Sequence, residues 1–183
     1  VVLPRTALPP SNINPRMLLL YGASKIGKTY SLGNLDGVLI IDTEKGTRSI
    51  PGMKVEINDL SELSELIKEL KKPENKGLYK YIALDALDNI VRWIERHMCR
   101  GTLTKDGTPY KSVADMPYGS GWSQLRDKTL ELIKTIADLT DHLILIAHRD
   151  RRVMGENQVE VSIVGLDLPG KGLKNELVAT ADA

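Results

Sequence analysis

The sequence predicts an α/β fold of three layers, with a mostly parallel central sheet and a β-hairpin near the C-terminus. Largely apolar runs, rich in leucine and β-branched residues, occur at 17–21, 38–42, 81–85 and 142–147. Continuous runs of this kind are typical of strands buried on both faces, as in parallel sheets covered by helices. Apolar residues at helical spacing lie between these runs, and right-handed crossovers then place helices on the two faces of the sheet.

Proline content predicts that the first fifteen residues form an extended arm. Four of the nine prolines fall within this segment, at positions 4, 9, 10 and 15. Proline fixes φ and removes a backbone donor, so a proline-rich segment favours extended structure over a helix or a strand. The length and the 42% apolar content suit one domain with one core. We therefore divide the chain into an arm, 1–15, and a domain, 16–183, which we expect to be truncated at its C-terminal end.

The first two predicted helices have recognisable ends. A short helix, 28–34, follows the first strand, and a turn at Asp36-Gly37 leads into the second. Asp59 with Glu62 three residues later has the pattern of a capping box and predicts the start of the next helix. The sequence Lys71-Lys72-Pro73 ends that helix, because proline cannot continue it.

The second half of the chain contains three more predicted helices, a long loop and a hairpin. We expect the helices at 87–98, 122–140 and 171–179, from the helical spacing of their apolar residues. The segment 101–121 is rich in glycine and lacks a sustained period, which indicates a long functional or mobile loop. Residues 151–154 and 159–168 flank a glycine-containing turn and predict two hairpin strands.

Composition argues against an overall electrostatic attraction to nucleic acid, an internal disulfide and a membrane-spanning segment. The formal net charge is +1, from 25 lysines and arginines against 24 acidic residues, so no overall field attracts nucleic acid or membrane. Any DNA contact must come from a local patch. The single cysteine, Cys99, allows no internal disulfide and is expected in the core, as in proteins of a reducing cytoplasm. No apolar run is long enough to cross a bilayer, so we expect no membrane partner.

The segment Gly22–Thr29, GASKIGKT, fits the phosphate-binding pattern G-x-x-x-x-G-K-S/T at every fixed position. A strand that runs into such a loop and then into a helix directs successive backbone N–H groups at phosphate oxygens. Lys28 would reach the β- and γ-phosphates, and the hydroxyl of Thr29 would bind Mg²⁺. We expect ATP to be held by Gly22, Ala23, Ser24, Lys25, Ile26, Gly27, Lys28, Thr29 and Tyr30.

Two carboxylates are candidates for the chemistry at the terminal phosphate. Asp85 ends an apolar strand, where an acidic residue can hold Mg²⁺; the alternative is a helix N-cap. Glu44 follows the second strand and could act as general base on water; the alternative is a loop glutamate paired with Lys45 or Arg48. Asp42 is either a further site carboxylate or a strand-end cap.

Asp88 lies one turn after Asp85, and we expect it to be a solvated helix residue. His97 and His142 have no partner at a functional spacing and are expected to be structural, and the absence of a Cys/His cluster argues against zinc.

The fourth strand ends at His148, which could hydrogen-bond the γ-phosphate or be an ordinary strand-end histidine. Arg149, Arg151 and Arg152 follow at once. They could contact phosphate or DNA, or belong to a solvated hairpin arm.

Together these motifs resemble the RecA-like P-loop ATPases. They are more narrowly similar to the phage-encoded AAA/RecA-like group that includes single-strand-annealing recombination proteins of the Sak type. The shared motifs are GASKIGKT, the acid in IIDTEKG, the acid in YIALD and the strand LILIAHR, with YGSGWSQLR and LPGKGLKNEL closer to the phage group. Similar proteins continue past the position of Ala183 into another strand.

The resemblance implies an Mg²⁺-dependent ATPase that binds or anneals single-stranded DNA in the cytoplasm of a bacterial host. A ring or filament of identical subunits and a phage single-strand-binding protein are the partners it implies. Stacking on bases needs aromatic residues interleaved with cations. The long loop and hairpin arm supply candidates for this contact: Lys105, Tyr110, Lys111, Tyr118, Trp122, Arg149, Arg151 and Arg152. Trp122 also begins the apolar stripe of the predicted helix, so its alternative is a core position.

Two alternatives share the phosphate loop. One is a small-molecule kinase, for which only residues 149–152 could supply an arginine-rich lid. The other is a non-catalytic ATP-binding subunit of a phage replication or packaging assembly.

Overall fold

The computed structural model describes residues 15–156 and 159–182, and of residues 150–156 and 159–165 it describes the backbone alone. Except for Pro15, the predicted arm lies outside the described residues. Five strands form a parallel sheet in the order β1-β5-β4-β2-β3, and a sixth strand, β6, pairs antiparallel with β5. Their bounds are Met17–Gly22 for β1, Val38–Asp42 for β2, Met53–Glu56 for β3, Tyr81–Asp85 for β4, His142–Glu156 for β5 and Val159–Leu166 for β6.

Five helices complete the described fold: α1 Lys28–Leu32, α2 Leu60–Leu70, α3 Leu87–Gly101, α4 Ser120–Ala137 and α5 Lys171–Thr180. The larger apolar core joins one face of the sheet to α2, α3, α4 and α5. A smaller core on the opposite face packs Leu32 of α1 against Ile40 and Ile146. Side chains of one strand alternate between these cores, as Leu39 and Ile40 do. The predicted three-layer α/β architecture is confirmed.

Strand register brings the carboxyl ends of β1, β2 and β4 to one edge, together with the point at which β5 leaves the parallel sheet. Asp42 at the end of β2 pairs with Asp85 at the end of β4, and Gly22 at the end of β1 pairs with His148 of β5. Since parallel strands share a direction, the loops that leave β1, β2 and β4 open onto this same edge. We call it the carboxyl edge.

Strand β5 has two parts. Up to His148 it pairs in parallel with its neighbours, and from Arg149 it pairs with β6, where Arg149 lies opposite Leu166. The predicted C-terminal hairpin is therefore confirmed. The predicted turn at 155–157 extends beyond the described residues at Asn157.

The structure corrects several predicted boundaries. Strand β3 was not predicted, because three of its four residues are exposed at the edge of the sheet and supply no apolar run. The helix expected at 28–34 ends at Leu32, and the helix expected at 122–140 spans Ser120–Ala137. The loop expected at 101–121 contains two short 3₁₀ turns, at Val113–Asp115 and Pro117–Gly119.

The start of α2 follows the predicted pattern with one difference. The side chain of Asp59 caps the helix by accepting hydrogen bonds from the backbone N–H groups of Ser61 and Glu62. The carboxylate of Glu62 accepts a hydrogen bond from the N–H of Asn58, one residue before the cap.

Among the described helices, none combines the length and apolar character that a membrane crossing requires.

We predict that Gly121→Ala destabilises the protein by about 1–3 kcal/mol, the usual cost of overpacking a core. Gly121 is buried in the first turn of α4, and a Cβ there would overlap the carbonyl oxygen of Val113. Urea unfolding measures the change.

Gly172→Ala is the matched control, because Gly172 is also the second residue of its helix but is exposed, with 4.0 Å to the nearest atom that a Cβ would meet. Alanine is the better helix former, so this change should be neutral or stabilise by up to about 1 kcal/mol. Equal effects of the two substitutions would contradict the packing of residues 113–115 against α4.

Candidate functional site

The glycine-bounded loop between β1 and α1 has the backbone of an anion cradle. Gly27 adopts a φ of 94° and Lys25 a φ of 64°, both in the left-handed region, and the N–H of Ser31 then bonds to the carbonyl of Gly27 to begin the helix. Alternation of left- and right-handed residues turns successive N–H groups to one side. A β-branched residue at Gly27 would be strained, which explains why glycine stands there.

Lys28 extends back over this loop. Its Nζ donates hydrogen bonds to the carbonyl of Ala23 at 2.8 Å and to that of Gly22 at 3.2 Å. The ammonium group is therefore held at the mouth of the cradle by the backbone of the same loop. This is the position from which a lysine can neutralise phosphate oxygens.

Thr29 and Asp85 meet across the carboxyl edge. The hydroxyl of Thr29 donates to Oδ2 of Asp85 at 2.5 Å, and Asp85 is buried. The alternative of a helix cap is wrong, because the N-cap of α3 is Ala86 and no side chain bonds there. A hydroxyl and a carboxylate are oxygen ligands of the kind that Mg²⁺ prefers, so the pair fits this ion.

Glu44 lies on the loop after β2 and faces β5. Its Oε1 is 3.6 Å from Nδ1 of His148. Arg48, which we considered as its partner, pairs instead with Glu56. Burial raises the pKa of Glu44; His148 opposes the rise, and the charges of Asp85 and Asp88 add to it. A carboxylate with a raised pKa is a better proton acceptor than a solvated one.

Asp42 acts as a strand-end cap that holds the loop after β2, rather than as a further site carboxylate. It is 1% exposed, and its oxygens accept hydrogen bonds from the N–H of Glu44 at 2.8 Å and from the hydroxyl and N–H of Thr47 at 2.7 and 3.0 Å. Burial alone would raise the pKa of Asp42, but these bonds outweigh it and the pKa is lowered. Asp42 therefore shapes the loop that presents Glu44.

Thr43 ties the same loop to β4. Its N–H donates to the carbonyl of Asp85 at 2.6 Å, and its hydroxyl accepts from the N–H of Ala86 at 2.9 Å. Sequence reasoning missed both Thr43 and Thr47. The available signal was the position of both threonines in the loop that follows Asp42, since threonines in such loops often satisfy backbone groups.

Asp88 is not a solvated helix residue, as the sequence suggested. It is 2% exposed, and its carboxylate accepts hydrogen bonds from the backbone N–H of His148 at 3.2 Å and from Nδ1 at 3.1 Å. Asp88 is the second residue of α3, and the packing of the start of this helix against β5 turns its side chain inward, which only the tertiary structure reveals. Glu44, Asp88 and His148 offer ligand atoms that lie within 4.8 Å of one another.

Part of the phosphate loop lines a cavity of about 490 Å³ at the carboxyl edge, whereas Asp42, Thr43 and Asp88 do not line it. Glu44, Asp85 and His148 line this cavity. Six of the predicted nucleotide-binding residues line it as well: Ser24, Lys25, Gly27, Lys28, Thr29 and Tyr30. Gly22, Ala23 and Ile26 do not. Gly22 is buried, and the Ile26 side chain is 62% exposed.

None of the predicted DNA-binding residues whose side chains the structure describes lines this cavity. Lys105 and Lys111 are exposed, but they follow the C-terminal end of α3, which runs away from the carboxyl edge. Tyr110 is partly buried against the larger core. Arg149 is exposed directly after His148. The side chains of Arg151 and Arg152 lie outside the described part of the chain.

The two remaining histidines differ in setting. His142 is buried, lies 2.9 Å from the carbonyl of Pro15 through Nδ1 and stacks on Tyr81, as expected of a structural residue. His97 is exposed on α3. Cys99 is buried, as predicted.

A phosphate loop after β1, a carboxylate at the end of β4 and a parallel α/β sheet define a nucleotide-binding P-loop domain. The profile of the family described as AAA domain matches residues 14–183, so the chain belongs to that family. It is also similar to the SPbeta prophage-derived uncharacterized protein YorG of Bacillus subtilis (strain 168), with 23% identity over 149 residues. That alignment covers 79% of this chain and 44% of YorG, so the chain spans less than half the length of that relative.

We predict that Asp85→Asn and Asp42→Asn change stability in opposite directions at neutral pH. Burial raises the pKa of Asp85, so its ionised form costs the folded state free energy above that pKa, and the cost is lost as the pH falls through it. The pKa of Asp42 is lowered, so its ionised form stabilises the fold above the ordinary aspartate pKa.

Thermal unfolding of the nucleotide-free protein should therefore show a higher Tm for Asp85→Asn and a lower Tm for Asp42→Asn. The gain from Asp85→Asn should shrink on acidification. A lower Tm for Asp85→Asn at neutral pH would contradict the assignment of a desolvated carboxylate.

Proposed function

We propose that this protein is an Mg²⁺-dependent ATPase of phage recombination, which binds or anneals single-stranded DNA in the cytoplasm of a bacterial host. The observation that carries the ATPase assignment is that Glu44 and Asp85, from two different strand ends, reach the same cavity as Lys28 and Thr29. Phosphoryl transfer depends mainly on positioning and charge stabilisation, which such a convergence supplies.

Each group has a role in this proposal. The loop N–H groups and Lys28 hold the phosphates, and Thr29 and Asp85 hold Mg²⁺. When bound, the ion supplies positive charge that offsets the charge on the terminal phosphate. Glu44 takes a proton from the attacking water, and its raised pKa suits that task. His148 contacts the γ-phosphate from β5.

The same strand gives a physical link between the nucleotide and the hairpin. His148 is the last residue of the parallel part of β5, and Arg149 begins the pairing with β6. A shift of the His148 backbone is therefore transmitted to the hairpin without an intervening loop. Arg149, with Arg151 and Arg152 beyond it, is our proposed phosphate-contacting segment for DNA.

An exposed aromatic pair supports single-strand binding. Tyr118 is fully exposed, Trp122 is 37% exposed, and Trp122 shares a depression with Lys171 and Arg126. Because α4 leads into the start of β5, its N-terminal end, where this pair lies, is on the side of the carboxyl edge. Aromatic side chains beside cations can stack on bases of any sequence. Lys105, Tyr110 and Lys111 would then contribute secondary contacts at most.

The similarity to a prophage-derived protein supports a phage context. The same proposal includes a ring or filament of this chain, in which an arginine from one subunit lies at the next subunit's nucleotide. It also includes cooperation with a phage single-strand-binding protein.

We predict that Lys28→Ala abolishes ATP binding, whereas Glu44→Gln retains binding and lowers kcat by about 100-fold or more, the range of general-base catalysis. Binding is measured by calorimetry with Mg²⁺, and turnover by phosphate release. Glu56→Gln is the matched control, since Glu56 ends the neighbouring strand β3 and does not line the cavity.

Retained turnover in Glu44→Gln would remove the general-base role. Tight binding with negligible turnover in the unmodified protein would favour the non-catalytic subunit. Turnover stimulated by sugars or nucleosides and not by single-stranded DNA would favour the kinase.

We predict that single-stranded DNA is retained in a gel-shift assay, more tightly with ATP and Mg²⁺ than without, and less tightly as salt rises. Tyr118→Ala should weaken this binding by about 1–3 kcal/mol, the cost of losing one stacked base. Tyr118→Phe keeps the ring and should bind normally. Binding that is the same with and without nucleotide would disprove the coupling through β5.

A further inference from the structure

The feature that the proposed mechanism leaves unused is the buried carboxylate of Asp88. It lies in the first turn of α3, and Nδ1 of His148 is 3.1 Å from one of its oxygens and 3.3 Å from the other. The backbone N–H of His148 donates to Oδ1 as well, at 3.2 Å. Both the ring and the backbone of one residue are thus bound by one side chain.

The chemistry of this contact fixes the location of a proton. An ionised carboxylate only accepts hydrogen bonds, so the ring nitrogen that faces it must carry the hydrogen. His148 is then held with the proton on Nδ1, and Nε2 is the nitrogen left for a ligand. Nδ1 is the ring nitrogen that lies near Glu44 and Asp88, so a metal ion bound to it among these residues would have to displace its hydrogen.

We propose that Asp88 is a positioning residue that holds His148 in the Nδ1–H tautomer and leaves Nε2 for the phosphate cavity. The proposal rests on the proposed function of His148 as the γ-phosphate contact. His148 lines that cavity, and a water that donates one hydrogen to the lone pair of Nε2 and the other to a terminal phosphate oxygen would join the ring to the phosphate. A carboxylate that orients a histidine in this way acts through the tautomer and the angle of the ring.

Burial of both side chains protects the hydrogen bond between Asp88 and His148 from water. The side chain of Asp88 is 3% exposed and that of His148 is 19% exposed, so water competes little for the bond. Asparagine at position 88 would keep the size of the side chain but offer an N–H as well as an oxygen. The ring of His148 would then no longer be restricted to one tautomer.

The first test reads the tautomer directly, in nucleotide-free protein. Nitrogen-15 NMR of histidine-labelled protein distinguishes Nδ1–H from Nε2–H, and His148→Gln assigns the resonances. The unmodified protein should show His148 as Nδ1–H, and Asp88→Asn should populate Nε2–H. His142 serves as internal reference, because its Nδ1 faces the carbonyl of Pro15, and exposed His97 reports the solvent-exposed ring.

An Nε2–H tautomer in the unmodified protein, or an unchanged Nδ1–H tautomer in Asp88→Asn, would overturn the proposal. This outcome does not depend on ATP hydrolysis, so it separates failure of this inference from failure of the proposed function.

The second test asks whether Asp88 acts through His148. Asp88→Asn should lower kcat by about 10- to 100-fold, the usual effect of losing an orienting partner, with a small change in KM for ATP. The double variant Asp88→Asn/His148→Gln should be no slower than His148→Gln alone. Additive losses would show that Asp88 acts independently of the ring and would overturn the proposal.

Discussion

The site depends on the in-register pairing of β4 with β2 and of β5 with β1. This register sets Asp42 beside Asp85 and Gly22 beside His148, so groups that are far apart in sequence share one edge of the sheet. A one-residue slip of any of these strands would turn its last side chain to the other face. The apolar cores on both faces hold the register, because each strand buries residues on alternate sides.

Three carboxylates near the site illustrate how environment assigns roles to one functional group. Asp42 is satisfied by loop donors and has a lowered pKa, so it is structural. Asp85 is desolvated and has a raised pKa, and its neighbour is a threonine hydroxyl, so its surroundings offer the oxygen atoms that hard cations prefer. Glu44 has a side chain that is 38% exposed, lies near a histidine and also has a raised pKa, which suits proton transfer.

Sequence patterns predicted the parts of this fold that are strongly periodic or sterically constrained. The phosphate loop follows from glycine spacing, and β1, β2 and β4 follow from their apolar runs. Strand β3 escaped prediction because it lies exposed at an edge. Asp88 and Thr43 escaped for a different reason: nothing local distinguishes a carboxylate or hydroxyl that faces solvent from one that faces a neighbouring strand. Their roles arise from packing between segments more than forty residues apart.

The bridge made by Thr43 has a mechanical consequence. It joins the backbone after β2 to the backbone at the end of β4 through three hydrogen bonds, two of them with Ala86. The spacing between Glu44 and Asp85 is therefore built into one rigid body. His148 enters from another strand that continues into the hairpin. Asp88, three residues after Asp85, binds both the ring and the backbone N–H of His148, so strain applied to the hairpin would act on these hydrogen bonds before it changed the separation of the two acids.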